Sequence, residues 1–492
     1  MSKEKQQKSI KFNFVMNFIR VLMSIIFPLI TYPYATRVLH KEGLGQTTYA
    51  MTIINYLLLI AAFGVNNYAI TEGAKIRDDK KKLNKFATEM FTINMIFTVL
   101  AYLCFIVVLF IPEFAEYRTL LLIGSVSILF TTLGMEWLYE LLEEYEYITI
   151  RSVIIQAVIL VAVFVFVRSE ADVAWYMALT VASAVGTGIF NFLHSRKYVH
   201  MFSERLDFRT LGVHMKPMIY MFGVSVASVI YLNSDITMLG WMKTDSDVGI
   251  YSAATKMNQV LCTLIKSLST VIMARVAYYI EQKQTDQFHR LLNRAFGFLL
   301  MLVVPSMVGM LMLAPEIIQL VAGAEFLPAV TSERIMVINL FLSPINGFIA
   351  YQIFMPHKKE KIIFWATFGG ALTNLAINYL LIPSYSYDGA AIGTVIAEAM
   401  VMCISLILGR ELVDLRELIR GSWQYVIACI PMIIAYFLLV RLEYPSYLIF
   451  MFLMIMVGVF SYFLMLLILR NEIVAEEWNK LVNRFRKKEK RG

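Results

Sequence analysis

Charged residues are scarce in this 492-residue chain: Asp, Glu, Lys and Arg make up 16% of it, against 59% hydrophobic residues, and the mean hydropathy is +0.66. Soluble domains carry about 25% charged residues. The connections between apolar stretches are also short, and the longest lie around 67–85 and 194–216. These deficits exclude a soluble globular protein and leave no segment long enough for a catalytic domain outside the bilayer.

Cysteine is almost absent as well. The four cysteines, Cys104, Cys262, Cys403 and Cys429, each fall inside an apolar stretch and show no CxxC or His-rich spacing. Small polarizable thiols of this kind usually fill cores. We therefore expect no disulfide framework, no metal and no cofactor.

Long apolar stretches dominate what is present. A membrane-spanning helix needs about 20 mainly apolar residues. Such stretches recur along the whole chain and predict an all-α integral membrane protein with about fourteen transmembrane helices. Their approximate ranges are 12–34, 46–66, 86–111, 119–140, 151–167, 174–193, 217–239, 251–274, 293–314, 335–355, 362–382, 390–409, 424–441 and 447–469.

Basic residues cluster in alternate connections. With the N-terminus taken as cytoplasmic, the clusters fall in 67–85, 194–216, 275–294 and 358–361, whereas the opposite connections hold mostly single basic residues. By the positive-inside rule, both termini are cytoplasmic. The basic tail NKLVNRFRKKEKRG is then expected to contact anionic lipid headgroups of the plasma or inner membrane, and no nucleic acid.

The seventh predicted span resembles the first in context, because each leads through a short turn to Gly, Tyr and Ala, in RVLHKEGLGQTTYA and ITMLGWMKTDSDVGIYSAA. Six spans return the chain to its starting side, so two such halves would be parallel repeats with a cavity between them. We predict an N-terminal lobe of six helices in 1–212, a C-terminal lobe of six in 213–422, and two further helices with the basic tail in 423–492.

Polar residues on the first span indicate a wet interior. A charged side chain at the bilayer centre costs about 2.5–3.5 kcal/mol on insertion scales. Asn17, Arg20 and Ser24 recur at helical spacing and draw one polar stripe along an apolar helix. Arg20 lies about 12 Å into the span. Snorkelling to the cytoplasmic surface is the alternative explanation for it.

The eighth span carries a fuller stripe, which contains Lys256, Gln259 and Lys266. Lys266 lies too deep for snorkelling alone, so a cation-lined wet cavity is favoured over a helix buried against polar neighbours. The hydroxyl residues on the same side are Ser252, Thr255, Thr263, Ser267 and Thr270.

Two charged residues near the outer ends of spans, Asp235 and Arg37, each have two possible roles. Asp235 on the seventh span either pairs with Lys256, which makes it structural, or belongs to the cavity. Arg37, at the outer end of the first span, is either solvated at the surface or caps the same cavity.

Glu398 is the only acid at mid-span depth in the second half of the chain. It is a candidate proton or cation site, and the alternative is a hydrogen-bonded packing carboxyl. Asn374 and Asn378, four residues apart on the eleventh span, either hydrogen-bond between helices or contact substrate.

Four segments in fixed order resemble the polysaccharide transporter (Wzx-type oligosaccharide flippase) family of the multidrug/oligosaccharidyl-lipid/polysaccharide exporter superfamily: TYPYATRVLHKEGLGQTTYA, EWLYELLEEYEYITIRS, LGWMKTDSDVGIYSAATKM and NLAINYLLIPSYSYDGAAIGTVIAE. The likeness covers nearly the whole chain in helix number, orientation and motif order. It implies two six-helix lobes in a V around a central cationic cavity. Alternating access would carry a polyprenyl-diphosphate-linked oligosaccharide to the outer leaflet, for export of a capsule, exopolysaccharide or teichoic-acid-like polymer.

The resemblance also implies roles for residues. Arg20, Arg37, Lys256 and Lys266 would hold the diphosphate, because Arg and Lys in a low-dielectric cavity bind such anions well. The expected partners are the glycan lipid, membrane lipids, a polysaccharide polymerase and glycosyltransferases, and the carrier is expected to be a monomer. The remaining polar lining would be Asn17, Ser24, Gln259, Asp235, Asn374 and Asn378.

Three other functions compete with this one. A lipid II flippase of the same superfamily would share the spans and the cationic cavity, whereas a multidrug antiporter for organic cations fits Arg20, Lys256 and Lys266 poorly. A membrane enzyme is disfavoured because no large outer loop and no intramembrane His is present. The Asp245-Ser246-Asp247 triplet resembles a glycosyltransferase DxD but lies in a short turn without a nucleotide-binding fold.

Overall fold

The computed structural model describes residues 10–201, 203, 208–282, 284–413, 418–419, 421–476 and 478. In these ranges the only regular secondary structure is helical: α-helices, short 3-10 turns and one π-helical segment at Ile349–Phe354. The predicted all-α fold is confirmed for this part of the chain. The basic tail from residue 479, and the side chains of Ser267 and Thr270, lie outside what is described.

The chain divides into two compact units, Met1–Gly249 and Ile250–Gly492. The predicted lobe boundaries at 212 and 422 are not tested by this division and stay predictions. The helices of the first unit are α1 (Ile10–Ala62), α2 (Val65–Ala74), α3 (Lys80–Phe110), α4 (Arg118–Gly134), α5 (Glu136–Leu141), α6 (Tyr145–Phe166), α7 (Val173–Ser195) and α8 (Phe208–Met242).

The second unit begins within α9 (Asp245–Glu281). Its other helices are α10 (Thr285–Val321), α11 (Ala329–Phe348), α12 (Glu360–Leu408), α13 (Trp423–Ala428), α14 (Ile430–Leu439) and α15 (Tyr447–Ile468).

Ten helical stretches in the described residues are long and apolar enough to cross a membrane. Two of them are long enough for two crossings each: α1 has 53 residues with a non-helical break at His40, and α12 has 49 residues with a break at Ser386. The remaining predicted spans fall on the polar helix α9, which is not one of the ten, and on the shorter apolar stretch Trp423–Leu439. The described helices thus match the predicted count of about fourteen, although the first and second spans, and the eleventh and twelfth, share one helix each.

In the first unit, α4 packs closely against α7, and α1 packs against α6, α3 and α4. The contact between α4 and α7 needs a glycine, because a Cβ added at Gly188 would overlap the backbone of Phe130. The short helices α2 and α5 pack against each other, and Trp137 and Tyr139 of α5 are fully buried there. This packing fixes α5, which carries two acidic residues of the site.

In the second unit, α11 packs between α10 and α12, and α15 packs against α10 and α14. Leu340 and Phe348 of α11 are buried in this core. Large apolar side chains point outward instead on the last helix, where Phe452 is 67% exposed and Phe460 is 69% exposed. Such exposure would be costly in water and suits a surface that faces lipid.

Candidate functional site

Arg20 lies in a charged cluster of the first unit, which we call the Arg20 cluster: Arg20, Glu136, Glu140, Arg151 and Asn191. Arg20 Nη1 lies 3.3 Å from Glu140 Oε1 and 3.7 Å from Glu136 Oε1. Arg151 makes a fork-shaped contact with Glu136, at 3.0 Å to Oε2 and 3.1 Å to Oε1. Arg151 also donates to Asn191 Oδ1. Two cations therefore share two carboxylates.

The Arg20 cluster forms at the break between α4 and α5. Met135 adopts a left-handed conformation (φ 40°) between α4 and α5, so the carbonyl of Gly134 is left without a continuing helix. Asn191 of α7 satisfies it, donating from Nδ2 at 2.7 Å to Gly134 O and at 2.9 Å to Glu136 Oε2. Because Asn191 is fully buried and Arg151 nearly so, this end of the cluster is a fixed platform.

Arg20 occupies the less buried end of the cluster. The exposed fractions of the Arg20 and Glu140 side chains are 27% and 26%, against 6% for Arg151. Arg20 Nε also donates to Asn17 Oδ1, one turn earlier on α1, at 3.2 Å. The guanidinium can therefore change partners more easily than that of Arg151.

The other predicted residues of α1 make local contacts. Ser24 is exposed and donates to Val21 O at 2.7 Å. Arg37 is exposed and donates from Nη1 to Pro33 O, one turn earlier, at 2.6 Å. Both alternatives for Arg37, solvation at the surface and capping of the cavity, stay predictions.

In the second unit, Lys266 of α9 is exposed and contacts α11, which in turn packs against α12. Lys266 Nζ donates to Ser343 Oγ at 2.9 Å, and its aliphatic stem passes 3.6 Å from where a Cβ at Gly347 would lie. One turn along α11, Asn346 Nδ2 donates to Glu398 Oε2 at 2.6 Å and to Glu398 O at 3.0 Å. We call these five residues the Lys266 layer.

Lys266 and Arg20 differ in what neutralises them. Among the described residues no carboxylate lies within 4 Å of Lys266, whose polar contact is the neutral Ser343 hydroxyl. Arg20 has two carboxylates in that range. Lys266 therefore offers the stronger positive field to an anion.

Three further candidates are placed without a defined role. Lys256 is half-buried on α9, and Gln259 is exposed one turn later. Asp235 is buried on α8 in the first unit, with 7% of its surface exposed. The predicted Asp235–Lys256 pair would join residues of different units and stays a prediction.

Asn374 and Asn378 are both fully buried on α12. Asn378 Nδ2 donates to Asn374 Oδ1 at 3.1 Å, within the one helix. Asn378 lies so close to Gly393, farther along α12, that a Cβ there would overlap its side-chain oxygen. These contacts favour a packing role in the state described.

Glu136, Glu140, Arg151 and Asn191 were missed as site residues by the reasoning from sequence. Three of them lie in EWLYELLEEYEYITIRS, which resembled the family but gave no reason to pair its acids with Arg20. Arg151 stands at the start of an apolar span, and that position was the one signal available. In the described residues, no group of three or more His, Cys, Asp or Glu is arranged to hold a metal ion.

Known proteins resemble this chain over part or most of its length. Residues 221–380 match the MatE family. A protein of Escherichia coli (strain K12) named "Putative O-antigen transporter" is 20% identical over 396 residues, which cover 78% of this chain and 93% of that protein. The "Probable low-salt glycan biosynthesis flippase Agl15" of Haloferax volcanii is 23% identical over 176 residues, 36% of this chain and 37% of that protein.

Two solved structures share the fold. The lipid II flippase MurJ in an inward closed conformation has a TM-score of 0.75 at 16% identity, covering 94% of this chain and all of that one. An inward-facing multidrug resistance MATE family transporter has a TM-score of 0.57 at 13% identity, covering 81% and 97%. Residues 10–278 of the 492 match the family described as "Polysaccharide biosynthesis protein". Because that match extends over more than half of the chain, the protein belongs to this family.

Proposed function

We propose that this protein is a flippase that moves a polyprenyl-diphosphate-linked oligosaccharide from the cytoplasmic to the outer leaflet, for cell-surface polysaccharide export. Its family, and relatives named as an O-antigen transporter and a glycan flippase, support this function. In this proposal the chain performs no catalysis and crosses the plasma or inner membrane with both termini in the cytoplasm. It works as a monomer that receives substrate from glycosyltransferases and passes it to a polymerase.

The observation that carries the proposal is that the Lys266 ammonium group contacts a neutral hydroxyl, that of Ser343. A lysine on a membrane helix, bonded to a hydroxyl and without a carboxylate within 4 Å in the described residues, is expensive to insert. A diphosphate repays that cost, because it brings negative charge and several acceptor oxygens. Moving that charge outward also runs with an inside-negative potential, worth about 2.3 kcal/mol per charge per 100 mV.

In this proposal, Arg20 binds the diphosphate by exchanging a carboxylate partner for a phosphate oxygen. Its guanidinium is held by Glu140 and Glu136, so a phosphate must displace at least the Glu140 contact of 3.3 Å. Arg151 keeps Glu136 in place through two bonds, so this carboxylate remains when Arg20 turns away. Because Glu140 competes with the phosphate for Arg20, the phosphate binds weakly enough to be released.

The proposal is tested by depleting the protein from its native cell and identifying the accumulating polyprenyl-linked intermediate by mass spectrometry. We expect a glycan-diphosphate-lipid to accumulate, and Lys266→Ala to cause the same accumulation at normal protein levels. Lys359→Ala is the matched control, because Lys359 is exposed in the connection before α12 and lies outside the spans. Accumulation of lipid II, or of no lipid-linked glycan, would refute the proposal.

A further inference from the structure

Glu333 of α11 is a buried carboxyl group without a hydrogen-bond partner in the described part of the chain. It lies in the second turn of α11 and is fully buried, with 0% of its surface exposed. Neither Oε1 nor Oε2 has a hydrogen-bond partner in the described part of the chain. The mechanism proposed above makes no use of it.

The surroundings of Glu333 along its own helix are apolar. The residues one turn before it, one turn after it and two turns after it share its face: Ala329, Met336, Val337 and Leu340. All four are buried, and none is more than 4% exposed. The carboxyl therefore interrupts a dry stripe of the core.

No charged group on the elements packed against α11 hydrogen-bonds to Glu333 in the described part of the chain. On α12, Asp388 accepts from Ser332 Oγ at 2.6 Å and Glu398 accepts from Asn346. On α10, Glu316 does not hydrogen-bond to Glu333, and its own Oε2 also lacks a hydrogen-bond partner among the described residues. On α9, Lys266 donates to Ser343, and neither Lys266 nor Lys256 hydrogen-bonds to Glu333.

An ionised carboxylate in this position would be strongly disfavoured. Burying a charge without a partner costs several kcal/mol, and the group avoids the cost by taking up a proton. Glu398 provides the contrast, because the Asn346 amide donates to its Oε2 at 2.6 Å. We propose that Glu333 is a proton-binding site, occupied in the conformation described here.

The proton comes from water: a carboxylate oxygen of Glu333 gains an O–H bond, and a hydronium ion becomes water. Release requires water to reach the carboxyl, and α11 is covered by α10 and α12 on both sides. Release is therefore possible only when α11 parts from one of these helices. A conformational cycle that separates them therefore lets the proton of Glu333 be released and replaced, whatever cargo the protein carries.

The test is infrared difference spectroscopy of the purified full-length chain in lipid nanodiscs at neutral pH. We expect a carbonyl band of a protonated, unbonded carboxylic acid, which Glu333→Gln removes. Glu398→Gln is the matched control and should leave that band unchanged. If Glu333→Gln inserts poorly, Glu333→Asp keeps the acid and should shift the band rather than remove it.

A wild-type spectrum without such a band, or a band that survives Glu333→Gln, would overturn the proposal. The coupling is tested separately in proteoliposomes, where an imposed pH gradient should change the rate of lipid-linked glycan translocation by wild type and not by Glu333→Gln. Because the infrared measurement needs no substrate, failure of the proton site and failure of the proposed flippase function remain distinguishable.

Discussion

Replacing Glu140 with Gln should make Arg20 a better anion ligand. At 3.3 Å, the attraction between the Arg20 and Glu140 charges is about 5 kcal/mol with an effective dielectric constant of about 20. Both side chains are about one quarter exposed, so desolvation and solvent screening leave about 1 kcal/mol of net interaction. That energy no longer opposes phosphate binding in the variant. We expect the Kd for a diphosphate to fall roughly fivefold.

Isothermal titration calorimetry with farnesyl diphosphate, on protein in lipid nanodiscs, measures this change. Glu143→Gln is the matched control, because Glu143 lies three residues farther along and pairs with Arg77 at 2.6 Å instead. Removing its charge alters the same region without freeing Arg20. Combining Arg20→Ala with Glu140→Gln should abolish the gain.

Two results would refute the reasoning about Arg20. An equal gain in Glu143→Gln would mean that the net charge of the region, and not the Arg20 contact, controls affinity. An unchanged Kd in Glu140→Gln would mean that Arg20 does not contact the diphosphate. Either result leaves the assignment of Lys266 intact, because that residue lies in the other unit and has a different partner.

Three further predictions concern stability, each measured by thermal denaturation of the purified protein in detergent. Asn191→Leu removes the amide that bonds a helix-end carbonyl and a buried guanidinium, and should cost about 1–3 kcal/mol; an unchanged Tm would contradict the platform role. Gly393→Ala should cost about 1–3 kcal/mol by displacing Asn378, whereas Gly223→Ala, with no described atom within 4 Å of the new Cβ, should stay within about 0.5 kcal/mol. Asp79 caps α3, and backbone N–H donors hold the pKa of its carboxylate below the usual range. A lowered folded-state pKa stabilises the fold above the unfolded-state pKa, and this stabilisation is lost as the pH falls through the lowered pKa. The Tm difference between wild type and Asp79→Asn should therefore shrink below about pH 4, and a constant difference would contradict it.

The helices were predictable from sequence because bilayer thickness fixes their length and hydropathy. The joints between spans were not. The predicted first and second spans share α1, broken at His40 with φ 57°, and the eleventh and twelfth share α12, broken at Ser386 with φ 47°. The sequence does not reveal these breaks, because neither residue is a glycine, which is the residue that usually indicates a positive φ.

The candidate cations were also predictable, since an Arg or Lys inside an apolar span is rare enough to stand out. Their partners were harder to find. Glu136 and Glu140 follow the fourth span in a segment with several acids, where nothing distinguishes an ion pair from a solvated charge. Their contact with Arg20 depends on the break at Met135, which turns α5 out of line with α4.

The affinity of a site for an anion depends on the net charge of the site. A carboxylate close to a cation lowers that net charge. Arg20 and Lys266 resemble each other in sequence, because each is a cation on a polar stripe of an otherwise apolar span. The fold gives Arg20 two carboxylates within 3.7 Å and gives Lys266 a hydroxyl at 2.9 Å. The Coulomb energy of a carboxylate at this distance is several kcal/mol before screening, which exceeds any difference between Arg and Lys as phosphate ligands. The partner, rather than the type of cation, therefore makes Lys266 the stronger candidate for holding the diphosphate and Arg20 the one that exchanges.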